Sequence, residues 1–332
     1  MTYAGDPPRA TRAAPPAAGA AGSFRAGVLA RYTKRAAAVL GAAGAGLLLW
    51  GALVEPRLID TEHEVAPIPG LPSAWEGRRI ALIADLQVGM WGANTGTARR
   101  IVARLAADRP AAVLIAGDFL YKAGDDLAEH VAQAVAIVRP LPAAGIPTYA
   151  VLGNHDYGMD EQDDRRESAM AERLRRALEQ AGVRVLRNEA VPLEAPGAPE
   201  AGAGALYLVG VGSHWAGEDD PAAALAQVPR GASSVVLMHN PASFTRLSAG
   251  AAPVALAAHT HGGQIRLPFT PDWSWLTFVK EDAVHADGWS DATFGAAGNR
   301  LYVNRGIGFS DVPIRINCPP ELTLLTLRRA AR

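Results

Sequence analysis

The sequence predicts an α/β fold, because short apolar runs alternate with amphipathic segments along the body of the chain. The runs RRIALIAD, AAVLIAGD and PTYAVLGN are rich in Val, Ile and Leu and have the length of buried strands. The segments that follow the first two runs, TGTARRIVARLAADR and DDLAEHVAQAVAIVRP, carry apolar residues at helical spacing. This order predicts a mostly parallel sheet in the first half of the body.

The second half of the body is richer in strand patterns, so we expect a mixed sheet there. A polar helix over EQDDRRESAMAERLRRALEQAG follows the third run and ends at Gly182. Two segments, VRVLRNEAV and ALYLVGVGS, are predicted to pair as a hairpin across the turn APGAPEAGAG. Further strands are predicted at SSVVLMHN, VALAAHTH, LYVNRGIG and ELTLLTL.

Composition limits the chemistry that the chain can carry out. The 332 residues are 49% hydrophobic with a formal net charge of −1, which is typical of a globular body and gives no basic excess for nucleic acid. The only cysteine, Cys318, excludes an internal disulfide framework and a cysteine-rich zinc site, and we interpret it as structural. Any metal must therefore be held by His, Asp, Asn and similar ligands.

The N-terminal region predicts a membrane anchor. Residues 1–23, rich in Ala, Pro and Gly, are expected to be a disordered cytoplasmic tail. Residues 24–55 combine a basic flank with AAAVLGAAGAGLLLWGALV, whose 19 positions (36–54) carry no charge. At about 1.5 Å per residue this run just spans a hydrocarbon core of ~30 Å.

Charge asymmetry around this run predicts its orientation. Basic residues precede it and acidic residues follow it, which places the N-terminus in the cytoplasm and the body on the extracytoplasmic side of the cell membrane. The basic residues are Arg25, Arg31, Lys34 and Arg35. A buried helix of the body and a cleaved signal peptide are the alternatives. No A-x-A site follows the run, so we favour an uncleaved anchor.

Five successive apolar runs end on side chains that can bind a metal. These side chains are Asp85, Asp118, Asn154 to Asp156, His239, and His259 with His261. At any one position a structural histidine or a turn-forming aspartate is the more ordinary interpretation. Because the carboxyl ends of strands in an open α/β sheet line a common crevice, the repetition favours one metal site built from distant parts of the chain.

In their order and spacing, these blocks resemble the calcineurin-like metallophosphoesterases, over about residues 58–328. The motifs are GD at 117–118, GNHD at 153–156 and HTH at 259–261, with Asp85 and His239. HTHGGQIRLP and YVNRGIGFSDVPIRINCPPEL further resemble a bacterial branch with a membrane or export segment ahead of the enzyme. The resemblance implies a two-sheet β-sandwich flanked by helices, with the phosphoesterase domain at 58–332.

The resemblance also implies two divalent metal ions. Asp118 would bridge them, Asp85 and His261 would hold the first ion, and Asn154, His239 and His259 would hold the second. Oxygen and imidazole donors of this kind suit Mn, Fe or Zn. His155 would donate a proton to the leaving oxygen or stabilise the phosphoryl charge, and Asp156 would orient its ring.

One position departs from the family pattern. The residue two after the first aspartate is usually histidine in the family, and here it is Gln87. Its carboxamide oxygen can still coordinate, as a neutral and weaker donor, so we expect the first ion to exchange more readily than the second. The alternative is that Gln87 only hydrogen-bonds Asp85 and the first site stays empty.

The predicted function is metal-dependent hydrolysis of a phosphodiester or pyrophosphate bond by a metal-bridged hydroxide. Residues 267–289 hold aromatic side chains that either pack onto the body or form an apolar wall for an acyl chain: Phe269, Trp273, Trp275, Phe278 and Trp289. With the anchor, the second possibility favours a membrane-associated or lipid-linked substrate. A membrane-tethered binding module with an impaired metal site is the alternative, and the neutral charge disfavours a nuclease.

Overall fold

The computed structural model describes residues 1, 11, 19–122, 124, 126–193, 195, 205–267 and 285–330. The chain divides into two compact units, Met1–Leu47 and Leu48–Arg332. Helix α1 (Gly19–Leu53) contains most of the first unit's described residues, and it begins inside the segment predicted to be a disordered tail. In the described part of the chain, the stretch Arg31–Arg57 is long and apolar enough to cross a membrane, and little of it is buried.

The second unit begins ahead of the predicted boundary at residue 58 and contains two mixed sheets. The described strands of the first sheet run in the order β1 (Asp60–Pro69), β12 (Glu321–Ala330), β2 (Arg79–Ile83), β3 (Ala112–Ile115), β4 (Thr148–Ala150) and β5 (Arg184–Val185). Strands β2 to β5 are parallel, as the alternation of strands and helices predicted. Strand β12 is parallel to β1 and antiparallel to β2, so the last strand lies between two early ones.

The second sheet runs in the order β10 (Gly288–Trp289), β11 (Leu301–Val303), β9 (Ala255–Ala257), β8 (Ser233–Leu237), β7 (Leu206–Gly210) and β6 (Glu189–Leu193), counting described strands. Strands β11, β9, β8 and β7 are parallel, and both edge strands are antiparallel to their neighbours. The predicted hairpin is confirmed only for the second part of its first segment, because β6 pairs with β7 and Glu189 lies opposite Gly210.

Side chains alternate across the first sheet, which creates two apolar layers. In β2, Ile80 and Leu82 pack into the core between the sheets, whereas Ala81 and Ile83 belong to the core beneath the helices. The helices on that side are α2 (Thr95–Asp108), α3 (Leu127–Val138), α4 (Pro140–Ala143) and α5 (Ser168–Gln180). A smaller core, which includes Phe244, covers the outer face of the second sheet near α6 (Pro221–Leu225).

This arrangement is the two-sheet sandwich flanked by helices that the resemblance implied. Helix α2 illustrates how the sequence builds it: Ala98, Ile101, Val102 and Leu105 recur at helical spacing and are buried. The helix ends where Arg109 takes a left-handed backbone conformation with φ 49°.

Two sequence-based expectations were wrong. The segment VRVLRNEAV is not one strand, because its two parts, β5 and β6, lie in different sheets and Asn188 between them has φ 53°. Helix α5 begins at Ser168 and not at Glu161, because the Asp164 carboxylate accepts hydrogen bonds from the backbone N–H groups of Asp160 and Glu161 and holds a turn there. Of the five aromatics predicted either to pack onto the body or to form an apolar wall, only Trp289 lies within the described residues.

Candidate metal centre

The candidate ligands lie directly after five strands, at one edge of the sandwich. Asp85, Asp118 and Asn154 follow β2, β3 and β4 of the first sheet, and His239 and His259 follow β8 and β9 of the second. Backbone hydrogen bonds join neighbouring loops: Asp85 N donates to Gly117 O at 3.0 Å, and Ala258 N donates to His239 O at 2.9 Å. Both sheets therefore contribute to the site.

Two groups of potential ligand atoms come together here, and they share one carboxylate. Within each group the atoms lie within 4.8 Å of one another, and the groups are Asp85, Asp118 and His261, and Asp118, His239 and His259. Asp118 and His261 are buried, and His259 is half-buried. The shared carboxylate gives the arrangement that two ions with one bridging ligand would need.

On the side of the second group, hydrogen bonds away from the centre fix His239 and Asn154. The His239 Nδ1 donates to Ala116 O at 2.7 Å, which turns Nε2 toward the centre, 3.2 Å from Asp118 Oδ2. The Asn154 Nδ2 donates to Met159 O at 2.8 Å, and its Oδ1 lies 3.1 Å from the same His239 Nε2. Potential ligand atoms of three side chains thus converge at this point: His239 Nε2, Asn154 Oδ1 and Asp118 Oδ2.

On the side of the first group, several buried polar atoms have no hydrogen-bond partner among the described residues. They are both carboxylate oxygens of Asp85, the Gln87 Oε1 and the His261 Nδ1. The Gln87 Nε2 donates to Asp118 Oδ2 at 3.0 Å and lies 3.4 Å from His261 Nε2. Gln87 therefore hydrogen-bonds Asp118 and not Asp85, and its oxygen stays available.

The backbone at these ligands is left-handed. Asp85, Gln87, Asp118, His259 and His261 have φ values of 51°, 49°, 54°, 74° and 50°, a region that is uncommon for residues other than glycine, although Asn, Asp and His enter it more often than the rest. Such outliers cluster at functional sites, where the surrounding structure enforces them. Asp85 and Gln87 face the same site through these turns and not through strand alternation, since β2 ends at Ile83.

Close packing around Asp118 requires a glycine. Gly153 lies so near that a Cβ atom there would collide with the Asp118 Oδ1. The same oxygen accepts a hydrogen bond from His155 N at 3.0 Å. The GNHD turn therefore wraps directly around the shared carboxylate.

The charge balance of the site favours bound cations. Burial raises the pKa of Asp85 to about 7, although the nearby His239 acts to lower it. Burial also acts to raise the pKa of Asp118, but His239 and His155 beside it bring the net pKa below its usual range. Burial and the nearby Arg315 hold the pKa of His261 well below its usual value, which keeps its ring neutral and able to coordinate. Together with the unpartnered oxygens of Asp85, this donor set fits two divalent metal ions.

His155 lies beside this centre, and its ring is held by groups other than the one we predicted. The His155 Nδ1 donates to Tyr121 O at 2.8 Å and lies 3.3 Å from Asp160 Oδ1. Burial lowers the pKa of His155, but Asp118 and Asp160 raise it more, so the net pKa lies above its usual value. When the ring is protonated, Nε2 is its remaining donor.

The expectation that Asp156 orients His155 was wrong. Both Asp156 oxygens bind backbone N–H groups: Oδ2 accepts from Asp118 at 3.0 Å and Gly153 at 2.9 Å, and Oδ1 accepts from Leu120 at 3.0 Å. Asp156 therefore fixes the loops that carry the ligands. The sequence signal for Asp160 was only its position in GNHDYGMD, and spacing alone does not predict that contact.

Sequence reasoning also missed Arg315, a fully buried guanidinium behind the first ligand group. It donates to main-chain carbonyls, among them Gly308 O at 2.7 Å and Cys318 O at 3.0 Å. Gly308 N in turn donates to Asp85 O at 2.6 Å, so Arg315 supports the loop that holds Asp85. The buried Cys318 Sγ lies 3.3 Å from His261 O, in keeping with a structural role.

Comparison with known proteins agrees with this geometry. The family model described as calcineurin-like phosphoesterase matches residues 78–263, more than half of the chain. The chain belongs to the calcineurin-like phosphoesterases. It is thus a hydrolase that acts on phosphoric ester bonds, as the resemblance implied.

Two relatives in this phosphoesterase family have names that state an activity. The chain is 29% identical to Phosphodiesterase YaeI of Escherichia coli over 281 residues, 84% of this chain and 88% of the relative. It is 24% identical to UDP-2,3-diacylglucosamine pyrophosphatase LpxG of Chlamydia trachomatis over 313 residues, 83% of this chain and 92% of the relative. Among solved structures, a dimetal phosphatase from Danio rerio matches with a TM-score of 0.39 and 13% identity, over 72% of this chain and 90% of that one.

Proposed function

We propose that the chain hydrolyses a phosphodiester or pyrophosphate bond at a dinuclear metal centre. The observation that carries this proposal is the pair of ligand groups that share Asp118. Asp85, Gln87 and His261 would hold the first ion, Asn154, His239 and His259 the second, and Asp118 both. The absence of thiolate from these groups favours Mn, Fe or Zn bound through oxygen and imidazole.

When bound, the ions would neutralise the phosphoryl oxygens and activate water for attack on phosphorus. The chain's own residues then have defined parts. The charged His155 ring would give the Nε2 proton to the leaving oxygen, because its Nδ1 is already occupied by Tyr121 O. Asp160 stabilises that charged ring, and Asp156 keeps the turn at Gly153 and the turn at Asp118 together.

For the substrate we propose a membrane-associated or lipid-linked phosphate ester. The apolar stretch Arg31–Arg57 supports an anchor in the cell membrane, with the body on the extracytoplasmic side as the charge asymmetry predicts. A relative whose name denotes activity on UDP-2,3-diacylglucosamine, a lipid-linked pyrophosphate, supports the same substrate class.

The test compares the detergent-solubilised full chain with two variants, in metal content and in hydrolysis of bis-p-nitrophenyl phosphate. Asp118→Asn should lose most of the bound metal and the activity, because an amide lacks the charge that serves both ions. His155→Ala should keep its metal and lose at least about 10²-fold in rate, the scale for removal of an acid–base group. Full activity in Asp118→Asn would contradict the proposal.

A second arm addresses the substrate class. Lipid and nucleotide extracts are incubated with the full chain, and the phosphate-ester products are identified. Products released from lipid-linked phosphodiesters or pyrophosphates are expected. Turnover of bis-p-nitrophenyl phosphate without any product from the lipid extract would support phosphodiester hydrolysis but contradict the proposed lipid-linked substrate class.

A further inference from the structure

Exposed apolar side chains surround the point where helix α1 ends. The fractional exposures are 54% for Leu53, 47% for Leu58, 66% for Trp91 and 39% for Val312. We call these four residues the apolar rim. Single exposed apolar residues are ordinary, but a group that includes a largely exposed tryptophan indicates an interaction surface.

Hydrogen bonds and close packing join the parts of this rim. The Trp91 Nε1 donates to Asp311 O at 3.4 Å, which ties the loop of Trp91 to the loop of Val312. The next residues of that second loop contact the helix: Arg315 N donates to Gly51 O at 2.9 Å. A Cβ atom at Gly51 would lie 2.7 Å from Ile316 Cγ1, so only glycine permits this approach.

The segment that follows the helix is attached to α2 in the same region. Pro56 O accepts hydrogen bonds from Asn94 Nδ2 at 2.6 Å and Thr97 Oγ1 at 3.0 Å, and Arg57 O accepts one from Arg100 Nη2 at 2.6 Å. The end of the apolar helix is therefore held against the loops that form the rim.

These loops also hold the metal centre. Trp91 follows Gln87 by four residues in the loop after β2, and Arg315 supports the backbone that bonds Asp85. Within the apolar rim, Trp91 therefore lies on the loop that carries Asp85 and Gln87, and Val312 lies on the loop of Arg315 that supports it.

The charged side chains next to the rim indicate what kind of surface the rim would bind. Arg57 and Arg100 are exposed next to it, and neither forms an ion pair with a carboxylate among the described residues. Asp311 is the acidic side chain in the Trp91–Val312 part of the rim, and it too is exposed. Exposed tryptophan beside unpaired arginines is the composition that favours the interface of an anionic bilayer.

We infer that the apolar rim is seated in the headgroup region of an anionic phospholipid bilayer, so that the metal centre takes its substrate from that surface. This inference rests on the proposed function and on the proposed anchor. The bilayer is the surface that covers the rim, because the helix that would cross the bilayer ends at the rim. The seated rim also implies where the substrate lies. An amphiphilic phosphate ester would stay in the membrane while its headgroup reaches the ions.

The experiment places an environment-sensitive fluorophore on the rim of the full chain. Since Cys318 is fully buried, Val312→Cys and Trp91→Cys can be labelled separately, with the label at Val65→Cys as the control. Val65 is 54% exposed and lies in β1 opposite Thr326, a residue that pairs with Arg79 at the start of β2 and so lies away from the ligand edge. The proteins are reconstituted in vesicles of equal parts phosphatidylcholine and phosphatidylglycerol.

Labels at 312 and 91 should emit at shorter wavelength than the label at 65. Doxyl-labelled lipids should quench the rim labels at least about twofold more strongly than the control label, as expected for groups at the bilayer interface. The quenching should weaken in vesicles of phosphatidylcholine alone, and an Arg57→Gln, Arg100→Gln double variant should lose this dependence on anionic lipid.

Rim labels that behave like the label at 65 would overturn the inference. Hydrolysis of bis-p-nitrophenyl phosphate in the same vesicles separates this failure from failure of the proposed function. Hydrolysis by protein whose rim labels stay exposed to water would refute only the inference that the rim lies in the bilayer. Absence of hydrolysis by the wild-type protein would refute the proposed function.

Discussion

At the scale of single residues, the arrangement around His155 makes a prediction about pH. Asp160 and Asp118 raise the pKa of His155, and only the protonated ring can donate a proton. Activity should therefore persist up to this raised pKa and fall as pH rises through it. Asp160→Asn removes one stabilising charge, so the alkaline limb of the pH–kcat profile should move to lower pH.

The matched control is Asp163→Asn, which removes an exposed carboxylate from the same segment. Its alkaline limb should coincide with that of the wild type, and the metal content of both variants should be unchanged. An unshifted limb in Asp160→Asn would mean that another group supplies the proton.

Gln87 makes a second prediction at this scale. Its Oε1 is buried and accepts no hydrogen bond among the described residues, so it can coordinate the first ion as a weak donor. Calorimetric titration of metal-free chain with Mn²⁺ should give two unequal binding events. Gln87→His should tighten the weaker event by at least about tenfold, or ~1.4 kcal/mol, because imidazole is the stronger donor.

Gln180→His is the control, since it adds a histidine to the exposed end of α5 and should leave both events unchanged. A single event in the wild type and in Gln87→His would contradict a coordinating glutamine.

The site residues that could be predicted from the sequence are metal-binding side chains that follow apolar runs. Asp85, Asp118 and His239 follow apolar runs, and parallel strands bring such positions to one edge. The partner of His155 could not be predicted, because Asp156 is adjacent in sequence but its oxygens face backbone N–H groups. Left-handed backbone at five of the ligand positions is also invisible in a sequence pattern.

At the scale of elements, the segment after α1 is part of the folded body. Glu55 is buried and accepts hydrogen bonds from Cys318 N and from Trp50 Nε1, the latter at 2.9 Å. A chain that begins at residue 58 removes the Glu55 carboxylate that accepts from Cys318 N and the Pro56 carbonyl that accepts from Thr97 Oγ1. Each buried unsatisfied group costs about 1–3 kcal/mol. Residues 58–332 should thus unfold in less urea than residues 48–332, with a free energy of unfolding lower by at least ~2 kcal/mol.

A point variant separates this effect from the change in length. Glu55→Ala in the full chain should lower the unfolding midpoint of the body, whereas Glu129→Ala, on the exposed face of α3, should leave it unchanged. Equal urea midpoints for the two truncated chains would instead support the domain boundary at residue 58 that the sequence predicted.

Element prediction succeeded where periodicity was long and failed where a turn interrupted it. The 14-residue helix α2 follows from the spacing of Ile101, Val102 and Leu105. The break inside VRVLRNEAV depends on the left-handed Asn188, which the apolar pattern does not mark.

At the scale of the whole molecule, the two separate sheets bring their candidate ligands to one shared edge. The candidate ligands Asp85, Asp118 and Asn154 follow strands of the first sheet, and His239 and His259 follow strands of the second, so the proposed dinuclear site needs both sheets. The insertion of β12 between β1 and β2 could not be predicted, since strand order depends on long-range pairing that local patterns do not encode.

The central claim is that hydrolysis requires two ions bound around Asp118. The most direct measurement adds Mn²⁺ in steps to the metal-free full chain and records the rate of bis-p-nitrophenyl phosphate hydrolysis against the metal bound per chain. We expect little activity with the first equivalent, which fills the tighter site, and a steep rise as the second binds. Full activity with one bound ion, or activity that does not depend on metal, would contradict it.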